Sequence, residues 1–69
     1  MKPFVVDVFR TDSKNRVIKR RLESETYEKA KQLMDIYKEP SDVTRIVVSQ
    51  RDAVRPVRLE KKMVWTRGI

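Results

Sequence analysis

The feature that most constrains the fold is a single helical stripe in a chain of 69 residues. Five apolar residues recur at helical spacing and share one face: Tyr27, Ala30, Leu33, Met34 and Tyr37. Ser24 or Thr26 is the predicted N-cap of this helix. Pro40 ends it, because the residue before a proline is pushed towards extended geometry. One such helix needs a sheet on which to bury its stripe.

The rest of the chain supplies four runs with the composition of strands. They cover residues 4–9, 16–22, 43–50 and 57–65, two on each side of the helix. The first and third runs are the most apolar and are predicted to be the central pair. The second is crowded with Lys and Arg, which suits an edge strand. The sequence therefore predicts a single α+β domain over residues 1–69, with the order ββαββ. Its four-stranded antiparallel sheet has the order 2-1-3-4, and one helix packs on one face.

The turn between the first two strands is predicted from its side chains. Residues 11–15 carry Asp, Ser and Asn, which hydrogen-bond to their own backbone and favour turns. Asn15 is predicted to take a positive φ, because no glycine is present there to do so.

The composition argues against several classes of function. The chain has no cysteine and no histidine, and its single glycine is Gly68, so phosphate-binding glycine loops are excluded. Asp7 is the only acid on a predicted central strand, and no second carboxylate accompanies it. We therefore predict that the protein is not an enzyme and uses no cofactor or metal. No apolar run approaches a membrane span or a secretory signal, which predicts a cytoplasmic protein without a membrane partner.

The charge is large and unevenly distributed. Seventeen Lys and Arg oppose ten Asp and Glu, so the formal net charge is +7. Residues 23–42, the helix and its flanks, hold six acids and three bases, a net charge of −3. The remaining segments hold 14 bases and four acids, a net charge of +10. The positive charge therefore belongs to the sheet and its turns, and it favours anionic partners.

The candidate binding residues follow from this distribution and the predicted sheet. One cluster crowds the first hairpin: Lys14, Arg16, Lys19, Arg20 and Arg21. A second crowds the start of the last strand: Arg55, Arg58, Lys61 and Lys62. Alternation along the strands predicts that five cations project from the sheet face without the helix: Lys19, Arg21, Arg45, Arg58 and Lys62. Five apolar residues are predicted to lie among them: Val5, Phe9, Val17, Val47 and Val64.

Two hypotheses fit this surface. The first is a nucleic-acid-binding module, for DNA or RNA, in which Lys and Arg neutralise phosphates and Phe9 stacks on an unpaired base. Its sequence specificity should be low, because no recognition helix is basic. The second is an inhibitor or adaptor, in the style of phage or mobile-element accessory proteins, whose basic face docks on an acidic protein partner. A homodimer is compatible with either.

Overall fold

The computed structural model describes residues 2–68 and confirms the predicted architecture. Its elements are β1 (Phe4–Thr11), β2 (Val17–Ser24), α1 (Tyr27–Tyr37), β3 (Val43–Arg51) and β4 (Leu59–Thr66). The sheet has the order β2-β1-β3-β4, and every neighbouring pair is antiparallel. The helix lies on one face of this sheet, and we refer to the other as the open face.

The ends of α1 are set by short-range hydrogen bonds. Of the two predicted caps, Thr26 is the one used, since its hydroxyl accepts a hydrogen bond from the Lys29 N–H at 3.1 Å. Ser24 is not the N-cap. Its buried hydroxyl donates to the Thr26 carbonyl at 2.8 Å and fixes the chain entering the helix. The helix ends at Tyr37, three residues before Pro40.

The main core lies between α1 and the sheet. It consists of buried Val6, Val8, Ala30, Met34, Val43, Ile46 and Val48, with Phe4, Leu22, Tyr27, Leu33, Tyr37, Met63 and Trp65 packed around them. The predicted apolar stripe of the helix is therefore the stripe that packs on the sheet. Trp65 closes this core at the end where the helix stops.

Arg67 ties the end of the described chain to that same region. Its guanidinium lies 5.0 Å from the Trp65 ring and donates hydrogen bonds to the carbonyls of Lys38, Pro40 and Val43. The carbonyls of Lys38 and Pro40 follow the helix C-terminus, and Val43 is the first residue of β3.

A bulge in β4 changes which side chains face the helix. Val48 pairs with Met63 but Ser49 pairs with Lys61, so Lys62 is an extra residue without its own partner on β3. Met63 lies on the helix side in the core, and Lys62 lines a groove on that side with Phe4 and Tyr27. The prediction that Lys62 projects from the open face is therefore wrong, because strict alternation fails at the bulge.

Candidate nucleic-acid interface

The side chains of the open face form three rows across the sheet, each taking one residue from every strand. The row nearest the β1–β2 turn, which we call the cationic row, contains Lys19, Phe9, Arg45 and Thr66. The middle row contains Arg21, Asp7, Val47 and Val64. The third row contains Glu23, Val5, Ser49 and Lys61.

The cationic row places an aromatic ring between two cations. Phe9 pairs with Lys19 on one neighbouring strand and with Arg45 on the other. The Arg45 guanidinium lies over the half-buried ring of Phe9, 5.7 Å from its centroid. Among the residues 2–68, neither Lys19 nor Arg45 has a carboxylate within ion-pair distance. The row therefore combines two positive charges that are not neutralised with a planar surface suitable for stacking.

The middle row contains a buried carboxylate. Asp7 is largely buried and accepts two hydrogen bonds from Arg21, from Nε at 2.9 Å and from a terminal guanidinium nitrogen at 3.4 Å. The hydrogen bond from Arg21 to Asp7, reinforced by the attraction between their charges, raises the pKa of the arginine. Arg21 lies on the open face as predicted, but it is engaged with Asp7 and is not a fully available cation.

The third row is covered by a second ion pair. Arg51 of β3 binds Glu23 of β2, so their side chains cross over β1, which lies between those strands. Arg51 also donates to the carbonyls of Lys2 and Pro56 at 3.1 Å and 3.3 Å. Val5 lies in the same row as Glu23 and is 0% exposed, although α1 packs on the other face of the sheet.

The exposures of the valines correct the predicted apolar surface. Val5 and Val47 are buried, so the prediction that both lie exposed among the charges is wrong. Val17 and Val64, on the two edge strands, are exposed, and Phe9 is half-buried. The centre of the open face is therefore polar at its surface and apolar only beneath it.

The remaining candidates lie around the hairpin and at the far end of the sheet. Lys14 and Arg16 are in the β1–β2 turn, where Arg16 pairs with Asp12 at 2.9 Å. Arg20 pairs in register with Val8 and so points to the helix side of β2, where it is exposed. The prediction that Arg58 projects from the open face as part of the last strand is wrong, because it lies in the loop before β4. Arg58 and Lys62 are thus separated from the cationic row.

An aspartate holds the β1–β2 turn. Asp12 accepts from the backbone N–H groups of Lys14 and Arg16, and Asn15 has a φ of 61° as predicted. The hydrogen bond from the Arg16 backbone is the main reason why the pKa of Asp12 is lowered. The turn is therefore preorganised and holds Lys14 at the tip of the hairpin, next to the cationic row.

Sequence reasoning missed Lys61 as a residue of the open face. It is exposed and pairs with Ser49 in the third row, on the side where Lys62 was expected. Only knowledge of the bulge would have identified it, since the two lysines are adjacent and alike in sequence.

The candidate surface is a face and not a cavity. Three concavities lie at the other end of the sheet, and each is lined in part by Gln50. Within residues 2–68 no group of three or more acidic, histidine or cysteine side chains is placed to hold a metal ion. No helix in the same range is long and apolar enough to cross a bilayer.

No protein-family model, curated protein or solved structure matches this chain.

Proposed function

We propose that the protein binds nucleic acid through the cationic row and the adjoining hairpin, with low sequence specificity. The observation that carries the proposal is the placement of Lys19 and Arg45 on either side of Phe9 in one row across the sheet. Neither cation is neutralised by a carboxylate within the described residues.

The chemistry of the row suits a flexible polyanion. Lys19, and Lys14 from the turn, attract phosphates and release counterions on binding. A base stacks on the Arg45 guanidinium, which lies over the Phe9 ring, or displaces it to reach that ring. Both contacts use features that every nucleotide has, so affinity depends little on sequence.

The charge on the rest of the molecule also favours the open face as the side that binds nucleic acid. Helix α1 and its flanks carry a net charge of −3, which disfavours contact between that side and phosphates. The Arg16 side chain is exposed and its ion pair with Asp12 contributes little, so phosphates compete with Asp12 for Arg16.

An acidic protein surface is the alternative partner. The exposure of Val64 and Val17 on the open face favours it, but they lie on opposite edge strands. Val5 and Val47, two of the five apolar residues predicted for the open face, are buried and so are removed as anchors for such a partner.

The test is a fluorescence-anisotropy titration with labelled duplex DNA, single-stranded DNA and RNA over a range of salt concentrations. About four to six phosphate contacts predict a log-log salt slope near −4 to −5 on duplex DNA. The variant Lys19→Glu/Arg45→Glu should weaken binding at least about tenfold and flatten the slope by roughly two, since about 0.9 is lost per phosphate contact.

The matched control is Lys29→Glu/Lys31→Glu, which changes the net charge equally but on the helix. We expect this variant to weaken binding less than the row variant does. Equal weakening by the two variants would show that only net charge matters and would overturn the assignment of the row. No binding at low salt would remove the proposal and leave the acidic protein partner.

A further inference from the structure

The loop between β3 and β4 displays two valines to solvent. We call residues 52–58 the valine loop. Val54 is 86% exposed and Val57 is 92% exposed, more than any other exposed large apolar side chain of the described residues. Arg55 and Arg58 lie beside them and are exposed. Exposed apolar residues rimmed by charged residues are a pattern found at interaction sites.

Hydrogen bonds hold this loop in one shape. The Asp52 carboxylate accepts from the Val54 and Arg55 N–H groups at 2.8 Å and 3.0 Å. The Asp52 N–H donates to the Arg58 carbonyl, and the Arg58 N–H donates to the Arg55 carbonyl, both at 2.9 Å. Arg51 also donates from its guanidinium to Pro56. The valines are therefore presented by an ordered loop, which lowers the entropy cost of docking.

The opposite end of the molecule carries the complementary surface. We call the helix C-terminus and the residues after it the acidic end, defined by Asp35, Ile36, Glu39 and Asp42. Ile36 is 62% exposed, and the three acids around it are exposed too. The last turn of α1 contains no basic residue, so the negative end of the helix dipole adds to their charge. Lys38, which pairs with Asp35 at 3.3 Å, and Arg67, which donates to the carbonyls of Lys38 and Pro40, offset part of it, so three acids face two bases and a net charge of −1 remains.

The two surfaces cannot meet within one molecule. The acidic end leads into the start of β3 at Val43, and the valine loop leaves its other end at Arg51. A nine-residue strand separates them by about 27 Å, at roughly 3.3 Å per residue. Contact between them therefore requires two copies of the chain.

We propose that the valine loop of one copy docks on the acidic end of another, so that copies associate head to tail. Val54 and Val57 cover Ile36, while Arg55 and Arg58 pair with Asp35 and Glu39. The contact is heterologous, because it joins two different surfaces. However many copies are added, the assembly has one unoccupied valine loop and one unoccupied acidic end. It does not depend on the proposed nucleic-acid binding.

The association should be weak and sensitive to salt. The contact is small and its charge pairs are exposed, which places the dissociation constant on the order of 0.1–1 mM. Sedimentation velocity on nuclease-treated protein, from about 10 μM to about 1 mM, spans that range. We expect the sedimentation coefficient to rise with concentration at low salt and to rise less at high salt.

Charge reversal on each surface gives the decisive experiment. Arg55→Glu/Arg58→Glu and Asp35→Lys/Glu39→Lys should each lower self-association at least about tenfold, because each creates contact between like charges. An equal mixture of the two variants should associate again. The negatively charged loop of the first variant then meets the positively charged helix end of the second, and the unchanged loop of the second meets the unchanged acidic end of the first. Circular dichroism of each variant checks that the fold is retained.

The apolar part is tested by Val54→Ser/Val57→Ser, with Val17→Ser as its control. Val17 is also exposed but lies on β2, outside both surfaces. The proposal is supported if Val54→Ser/Val57→Ser weakens self-association and Val17→Ser does not. Monomeric wild-type protein at the highest concentration would overturn it. So would wild-type association combined with failure of the charge-reversed mixture to associate. The anisotropy titration does not depend on either result.

Discussion

The two faces of the sheet bury neighbouring residues of β1 by different means. Val5 and Val6 are adjacent and both are 0% exposed, but their side chains lie on opposite faces. Val6 belongs to the core beneath α1. Val5 lies beneath the Arg51–Glu23 pair that crosses the open face. Long charged side chains can therefore bury a sheet face without a second layer, and such a cover rearranges more easily than a packed helix.

The largest difference between the faces should appear in the matched pair Val6→Ala and Val5→Ala. Val6→Ala should lower the free energy of unfolding by about 3 kcal/mol, because the packed helix cannot fill the cavity. Val5→Ala should cost about 1.5 kcal/mol, because the side chains above it collapse into the space. Urea denaturation of both variants measures this, and equal losses would show that the two covers are equally rigid.

Arg51 is the residue on which the cover of the third row depends most. It binds Glu23 and two backbone carbonyls and is mostly buried. Arg51→Lys keeps the charge but cannot form this forked set of hydrogen bonds, so we expect a loss of about 2 kcal/mol in unfolding free energy. Arg20→Lys, on the exposed helix side of β2, is the control and should change stability little. Similar values for the two would mean that Arg51 does not hold the cover.

Asp7 links stability and binding on the open face. Asp7→Asn weakens the hydrogen bonds to Arg21 and should cost about 1 kcal/mol, a modest value because Arg21 is partly exposed. The same change frees Arg21 and removes a negative charge next to the cationic row. We therefore expect tighter binding of single-stranded DNA by anisotropy, despite the lower stability. Weaker binding by a folded Asp7→Asn variant would contradict the assignment of this face.

The smallest expected effect concerns the turns at the two ends of the sheet. Backbone hydrogen bonds lower the pKa of Asp12, mainly from Arg16, and of Asp52, mainly from Arg55. A lowered folded-state pKa means that this stabilisation is complete above the unfolded-state pKa. It is lost as the pH falls through the folded-state pKa.

NMR titration of the two carboxyl carbons should therefore give midpoints below the ordinary value for aspartate. In Asp12→Asn the acid-induced shift of the Lys14 amide should disappear. Midpoints at or above the ordinary value would show that the turns are not held by these carboxylates.

The fold could be predicted because its signals are local. The helical stripe, the strand composition and the turn at Asn15 each follow from neighbouring residues, and the apolar character of the first and third strands determined the strand order. The bulge at Lys62 could not be predicted in this way, because no glycine or proline marks it. Because of the bulge, Lys61 lies on the open face and Lys62 on the helix side, the reverse of what alternation predicts.

The candidate site was only partly predictable for a related reason. Lys19 and Arg45 lie beside Phe9 as alternation indicates. Whether an arginine projects or lies flat depends on acids that come close only after folding. Asp7 is 14 residues from Arg21 in sequence, and Glu23 is 28 from Arg51. The Arg51–Glu23 pair crosses β1 in the row of Val5, and composition does not reveal such a long-range contact.

The most direct test of the account is an NMR titration of the ¹⁵N-labelled protein with single-stranded DNA. We predict that the largest amide shifts occur at Phe9, Lys19 and Arg45 and in the turn of residues 12–16, while α1 and the valine loop change little. Shifts centred on residues 27–37 or 52–58, with the cationic row unaffected, would contradict the claim that the open face binds nucleic acid.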